Sequence, residues 1–246
     1  MRNFIPLALA LAVTATPAHA DDAAEARGII DKAVQAVGGE AKLATARAHT
    51  QKVVGTFFGP AGAIAFTGEW AVNLPDQLRQ TTESESDGMK FRTVKVIAGD
   101  KGWLRVNDTL EELDKDTLAT EHEQTYAVHV ATLLPLKDKE FVLAPLGESK
   151  VGERPAVGVK VTREDRPTVA LFFDKEKGWL LKAEFRVKVH NTPVRQEVFY
   201  DDYEDADGLK RPKKTTIKRD GKVLVESAVT EFKPLDKIDA KLFERP

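Results

Sequence analysis

From about residue 50 onward, apolar and polar residues alternate with a period of two along several stretches of the chain. The clearest are "AIAFTGEWAV" and "LKAEFRVKVH". In the first stretch, the residues that share the apolar face are Ile64, Phe66, Trp70 and Val72. In the second, Phe185 lies at the centre of the apolar face. This alternation predicts an antiparallel sheet with one dry and one solvated face.

Short glycine-containing pairs separate the alternating runs. Examples are Asp87-Gly88, Asp207-Gly208 and Asp220-Gly221. Such pairs accept positive φ angles, which two-residue hairpin turns require. From the runs and the turns together we predict about 11 strands.

Two segments have helical patterns instead. "DDAAEARGIIDKAVQAVGG" has apolar residues at helical spacing and ends in two glycines, so it predicts an N-terminal helix. "LDKDTLATEHEQTYAVHVATLLPL" lacks alternation and contains good helix formers. It predicts a helix over 116–134 that Asp114 or Asp116 caps and Pro135 ends. Glu121 and Glu123 indicate that one side of this helix is solvated.

The first twenty residues, "MRNFIPLALALAVTATPAHA", have the features of a secretory signal peptide. An arginine precedes a short apolar run, and a small-x-small site ends at Ala20. We therefore expect residues 1–20 to be removed, residues 21–246 to form one domain, and the protein to reach the periplasm. The chain has no cysteine, so we expect neither disulfides nor attachment to lipid through a lipobox cysteine. No later stretch is apolar enough to predict stable membrane insertion.

The charged stretch "YDDYEDADGLKRPKKTTIKRDGK" over 200–222 could indicate a calcium loop or a nucleic-acid site. A calcium loop beginning at Asp205 needs Glu at its twelfth position, where the chain has Thr216. The formal net charge of −2 and the lack of interleaved aromatic residues argue against nucleic acid. The stretch therefore predicts a hairpin whose opposite charges face each other across paired strands.

Motifs of catalysis and cofactor binding are missing from the sequence. His122 and His129 are seven residues apart on the predicted helix, whereas a zinc pair on a helix needs a step of four. There is no G-x-S-x-G, no S-x-x-K and no phosphate-binding glycine loop. We therefore predict no cofactor, no metal and no catalytic residue, and we do not expect an enzyme.

The apolar face of the predicted sheet is the remaining candidate site. A strongly curved antiparallel sheet can enclose more volume than its own side chains fill, and one helix across its mouth would act as a lid. We place five candidate ligand contacts on the concave side and four on the lid. They are Ile64, Phe66, Trp70, Val72 and Phe185 for the sheet, and Leu118, Tyr126, Leu133 and Leu134 for the lid.

The closing segment also resembles a known family. "WLLKAEFRV" is followed by an acidic "YDDYEDADGLKRP" turn and a terminal "DAKLF". Together with the opening "AVGGEAKLATARAHTQKVVGT", these features are similar to the LolA/LolB-like outer-membrane lipoprotein-sorting superfamily. The resemblance covers most of the chain after the signal peptide. Its motifs are those of turns and strands, so they concern the fold more than the function.

The resemblance implies a mainly β protein of the α+β class, an unclosed antiparallel β-barrel with helices over its concave apolar face. It also implies a carrier of lipid acyl chains or lipoproteins, and a monomer is expected. A protein-interaction or sensor module with a filled core, bound to an envelope partner, is the alternative. An enzyme with a site on unrecognised loops is the third possibility.

Overall fold

The computed structural model describes residues 18–60, 62–189 and 192–246. The predicted signal peptide lies outside this part except for its last three residues. The described residues contain three α-helices, α1 (Ala18–Ala36), α2 (Glu40–Thr45) and α3 (Lys115–Ala131). They also contain two 3-10 helices, Leu134–Lys137 and Ala240–Phe243. In this part of the chain no helix combines the length and the apolar character that crossing a bilayer requires.

Thirteen strands form one antiparallel sheet in the described residues. Those of the first half are β1 (Ala48–Gly59), β2 (Gly62–Asn73), β3 (Gln77–Ser86), β4 (Met89–Ala98), β5 (Lys101–Val106) and β6 (Thr109–Glu112). Those of the second half are β7 (Val142–Val151), β8 (Arg154–Thr162), β9 (Val169–Asp174), β10 (Leu180–Val189), β11 (Thr192–Ala206), β12 (Leu209–Arg219) and β13 (Lys222–Pro234).

The sheet consists of two meanders, β1–β6 and β7–β13, which pair with each other through β1 and β13. Its order is β6-β5-β4-β3-β2-β1-β13-β12-β11-β10-β9-β8-β7, so the last strand pairs with the first and the sheet stays open. The predicted mainly β architecture with an unclosed sheet is confirmed. The predicted strand number is only approximate, because a strand such as β6 ("TLEE") is too short and polar to show an alternating pattern.

The predicted hairpin turns are confirmed. Both residues of Asp87-Gly88, of Asp207-Gly208 and of Asp220-Gly221 have positive φ angles, as two-residue turns of this kind require. The β11–β12 hairpin also pairs its charges as expected. Lys210 Nζ lies 3.0 Å from Asp205 and Lys214 Nζ lies 3.1 Å from Asp202.

The main hydrophobic core lies between the helices and the second meander. α1 packs on β7 and β8, and α3 packs on β10 and β9. Typical members of this core are Ile30 and Val34 from α1, Ala127 and Val130 from α3, and Val159, Leu171 and Phe185 from the sheet.

A second core lies on the other face of the first meander. There the C-terminal segment supplies Ile238 and Phe243, which pack against Val94, Val96 and Trp103. Phe243 is 3% exposed. The chain thus covers one face of each meander with a different element, and these two faces are opposite faces of the same sheet.

The central helix is shorter than the sequence predicted. Asp114 is its N-cap and accepts a hydrogen bond from the Thr117 N–H at 2.8 Å, but the helix ends at Ala131. Leu133 adopts a left-handed conformation with φ 66°. Leu134 then begins a 3-10 helix with Pro135. Leu133 and Leu134 are therefore outside α3, because the left-handed backbone at Leu133 cannot continue a right-handed helix.

Candidate functional site

One row of directly paired residues crosses six strands and defines the face that the candidate residues share. Directly paired residues of antiparallel strands lie on the same face of a sheet. The row consists of Ala183, Val198, Ile217, Val225, Phe57 and Ile64. Phe185 is two residues from Ala183 and so shares its face. The β2 candidates therefore lie on the same face of the sheet as Phe185.

Helix α3 covers this face at the first meander. Val72 is linked through paired residues to Ile97 and Gly102. A Cβ atom added to Gly102 would come within 3.0 Å of Leu118 Cδ1, so Leu118 packs directly over this glycine. In the next row, Lys95 Nζ lies 2.8 Å from Glu121 of α3.

The same helix also contacts the second meander. Thr120 Oγ1 donates a hydrogen bond to the Lys188 carbonyl oxygen at 2.6 Å, and Lys188 N–H donates to Glu123 Oε2 at 3.2 Å. Lys188 is on β10 and Lys95 is on β4, and six strands separate β4 from β10 in the sheet. Since one helix contacts both, the sheet curves around α3. We call the α3-facing side of the sheet the concave side.

Two acidic residues of α3 have a different environment from the one that the sequence indicated. Glu121 and Glu123 were expected on a solvated side of the helix, but both bind the sheet. The side chain of Glu121 is 16% exposed. Sequence spacing could not reveal these contacts, because the partners lie on distant strands.

The structure places four of the nine predicted ligand contacts in the main core. Tyr126, Leu133 and Phe185 are buried there, and Leu134 packs against them partly exposed. Tyr126 also stacks on Phe141 with ring centroids 6.4 Å apart. These four residues thus belong to, or pack against, a single hydrophobic cluster.

The β2 residues form a separate group on the concave side. Val72 is buried, whereas Ile64, Phe66 and Trp70 are partly exposed. Phe57 pairs with Ile64 and is 40% exposed. We call Phe57, Ile64, Phe66 and Trp70 the apolar strip.

Glycines allow the rings of the apolar strip to lie flat on the sheet. A Cβ atom added to Gly55 would come within 2.6 Å of Phe66 Cζ, and one added to Gly68 within 3.1 Å of Trp70 Nε1. Trp70 Nε1 is buried and has no hydrogen-bond partner in the described part of the chain. The rings of Phe66 and Trp70 therefore lie against these glycines on the concave side.

A cluster of charged and polar side chains beneath α3 was not predicted from the sequence. Arg219 Nε donates a hydrogen bond to Gln196 Oε1 at 2.9 Å, and Gln196 pairs with Phe185 on the concave side. Burial lowers the pKa of the Arg219 guanidinium, and the nearby Glu121 carboxylate opposes this shift. Glu121 thus lies near two cations, Arg219 and Lys95.

A pocket of about 820 Å³ lies beside α3. Its walls come from α2, α3, the segment after α3, and the turns before β3, β5 and β9. Both predicted helix histidines line it, but they do not share a site for one ion. His122 Nε2 lies 2.8 Å from the Gly99 carbonyl oxygen. Within the described ranges no group of three or more His, Asp or Glu side chains could hold a metal.

Comparison with known proteins identifies the fold. No protein-family model and no curated protein matches the chain. Among solved structures, a LolA superfamily protein from Nitrosomonas europaea matches with a TM-score of 0.58 at 12% identity, covering 89% of this chain and 96% of that one. A putative outer membrane lipoprotein-sorting protein domain from Vibrio parahaemolyticus matches with 0.55 at 9% identity, covering 90% and 97%.

A third similar structure is a DUF1329 family protein from Desulfovibrio piger, with a TM-score of 0.58 at 10% identity, covering 89% of this chain and 97% of that one. At such low identities the likeness concerns the fold. The predicted resemblance is confirmed at that level, and the chain has a LolA-like fold.

Proposed function

We propose that this protein is an exported carrier that binds lipid acyl chains, free or attached to a lipoprotein, on the concave side of its sheet. The observation that carries the proposal is the apolar strip. The C-terminal segment covers the opposite face of the first meander, and the α1–α3 core covers the concave side of the second. Among the described residues, Phe57, Phe66 and Trp70 on the concave face of β1 and β2 remain at least partly exposed.

The proposed mechanism is burial of methylene groups between the strip and α3. Each buried methylene contributes about 0.8 kcal/mol, so a long acyl chain gains enough to leave an aqueous compartment. The LolA-like fold supports this proposal, since two proteins of similar structure are a LolA superfamily protein and a putative outer membrane lipoprotein-sorting protein domain. Binding rather than catalysis is proposed.

A fluorescent fatty acid titrated into delipidated protein tests the proposal. Saturable binding with a stoichiometry near one is the expected result, and an unlabelled fatty acid should compete with the probe. A soluble short-chain acid of the same charge serves as the control and should not compete. A signal that rises linearly with probe, as in non-specific partition, would refute acyl binding.

A protein-interaction module is the second candidate, and the packing beneath α3 favours it. The half of the concave side that α1 and α3 cover is filled by side chains of the main core, and polar contacts hold α3 at β4 and at β10. If the fatty-acid probe fails to saturate, this filled arrangement is the better description, and the apolar strip then becomes the surface for a protein partner.

A further inference from the structure

We propose that the pocket beside α3 binds a singly charged anionic group, a carboxylate or a phosphodiester, between Arg47, Arg166 and Tyr126. This site goes beyond acyl binding, because its residues lie outside the apolar strip and are mostly polar. The chemistry fits the headgroup of an anionic lipid or a small soluble anion.

Two polar atoms of residues that line the pocket have no hydrogen-bond partner in the described residues. They are Tyr126 Oη and His129 Nδ1, and both are buried atoms. Tyr126 as a whole is 6% exposed. A buried polar atom without a partner costs free energy, and such atoms in native proteins call for an explanation such as a ligand. A hydroxyl that can donate is suited to an anionic oxygen.

Arginines surround these two atoms. The Arg166 guanidinium carbon lies 5.6 Å from the centroid of the Tyr126 ring. Arg47 donates from Nε to the Leu74 carbonyl oxygen at 3.1 Å, which orients its guanidinium. Neither Arg47 nor Arg166 has a carboxylate partner within the described ranges. The guanidinium fork binds carboxylate and phosphate oxygens through two parallel hydrogen bonds.

The pKa of His129 shows which charges lie close to it inside the pocket. Burial lowers the pKa of His129, and Arg47 and Arg163 lower it further, while Asp138 opposes them. Of the cations at this pocket, Arg163 is already paired with Glu140 at 2.5 Å. A ligand anion would therefore bind to Arg47 and Arg166 rather than to Arg163.

The pocket also has carboxylates, and they restrict the ligand. Asp76, Asp100 and Asp138 are exposed residues that line it. Their negative charge opposes a doubly charged anion more than a singly charged one. A carboxylate or a phosphodiester therefore fits better than a phosphate monoester.

The test measures binding by NMR or calorimetry with three probes. They are dimethyl phosphate, monomeric dihexanoyl phosphatidylglycerol, and uncharged dihexanoylglycerol. Binding of dimethyl phosphate points to a soluble anion, and binding of the phosphatidylglycerol alone points to a lipid headgroup; either supports the site. Equal binding of the uncharged lipid with the same shifts at Tyr126, or no binding of any charged probe, would overturn it.

Variants locate the site. Arg166→Gln should weaken binding of the charged probe by about tenfold, since hydrogen bonds between charged groups exceed neutral ones. Arg186→Gln is the matched control, because Arg186 is an exposed arginine of β10 next to Phe185 and so on the convex side. Equal affinity in these two variants would contradict the proposal.

Tyr126→Phe separates a ligand role from a structural one. It keeps the ring that stacks on Phe141 and removes only the unpartnered hydroxyl. The expected result is weaker anion binding in a protein whose unfolding temperature is unchanged or higher. A clear loss of stability would mean that the hydroxyl supports the fold, and would count against the site. The fatty-acid probe should bind Arg166→Gln as before, because Arg166 lies outside both the apolar strip and α3, so this proposal and acyl binding can fail separately.

Discussion

At the scale of single residues, Trp70 is the member of the apolar strip with the largest ring. Its indole N–H is buried without a partner in the described residues, while the side chain as a whole stays partly exposed. A buried indole N–H usually finds a hydrogen-bond partner. The part of Trp70 that is available for contact with a ligand is its partly exposed ring.

Replacing Trp70 by Ala should lower the affinity for the fatty-acid probe, because the ring face is lost from the strip. The free energy of unfolding should fall by less than about 3 kcal/mol, below the cost of deleting a fully buried aromatic ring. Probe titration and chemical denaturation measure the two effects. Phe58→Ala is the control, since Phe58 is 37% exposed and lies on the other face of β1. Undiminished affinity in folded Trp70→Ala would exclude the strip as the acyl site.

At the scale of elements, α3 combines a modest buried face with polar attachments to two distant strands of the curved sheet, β4 and β10. Thr125, Tyr126, Ala127 and Val130 are its buried residues. The attachments through Thr120, Glu121 and Glu123 are single hydrogen bonds or ion pairs. Segments held in this way open more readily than strands with partners on both sides, which suits a lid.

Amide hydrogen exchange tests the mobility of α3. The amides of Lys115–Ala131 should exchange faster than those of Leu180–Val189 in β10, above all those of residues 182–184, which pair with both β9 and β11. A bound acyl ligand should slow the exchange of α3. If α3 instead exchanges as slowly as β10 and no ligand changes it, α3 is an ordinary core helix.

Replacing Glu121 by Gln should speed exchange in α3 further. The variant leaves Lys95 and Arg219 without their shared carboxylate. A half-buried ion pair contributes on the order of 1 kcal/mol, so the amide rates should rise about fivefold. Glu112→Gln on exposed β6 serves as the control and should leave α3 unchanged.

At the scale of the whole molecule, the C-terminal segment packs on the sheet, whereas residues 21–25 are exposed. The C-terminal 3-10 helix closes the second core through Phe243. It also receives a hydrogen bond from Arg79 on the carbonyl oxygen of Leu242, at 3.1 Å. At the other end, residues 21–25 are exposed and Ala26 is buried.

Phe243→Ala should destabilise the protein by about 3 kcal/mol, because it empties a buried site against Val94 and Val96. Leu242→Ala changes the neighbouring side chain, which is 37% exposed, and should cost less than about 1 kcal/mol. Thermal or denaturant unfolding measures both. Similar losses in the two variants would show that Phe243 is not a core residue.

Export should leave Asp21 as the first residue of the mature protein. Since Ala26 is the first buried residue from Asp21 onward, cleavage after Ala20 would leave that packing intact. Mass spectrometry of the exported protein measures its N-terminus. A protein that keeps Met1 would contradict the proposed signal peptide.

The sequence by itself determined the fold class and the chemistry of the turns. A period of two over β2 and β10 is a local property of the chain, and it specified which side chains share a face. Pairs such as Asp207-Gly208 accept positive φ, so the β11–β12 hairpin was also a local prediction. Asp114 was one of two predicted caps and is the observed one.

Only the tertiary structure decided which parts of the apolar face of the sheet are covered by helices. Phe185 and Ile64 have the same alternation in the sequence, yet helices bury one and leave the other partly exposed. Lys95 forms an ion pair with Glu121, and the Arg166 guanidinium lies over the Tyr126 ring. The partners are far apart in the sequence, so no local sequence pattern predicts these contacts. The physical reason is that burial and charge pairing depend on how the sheet curves, and curvature arises from the packing of the whole chain.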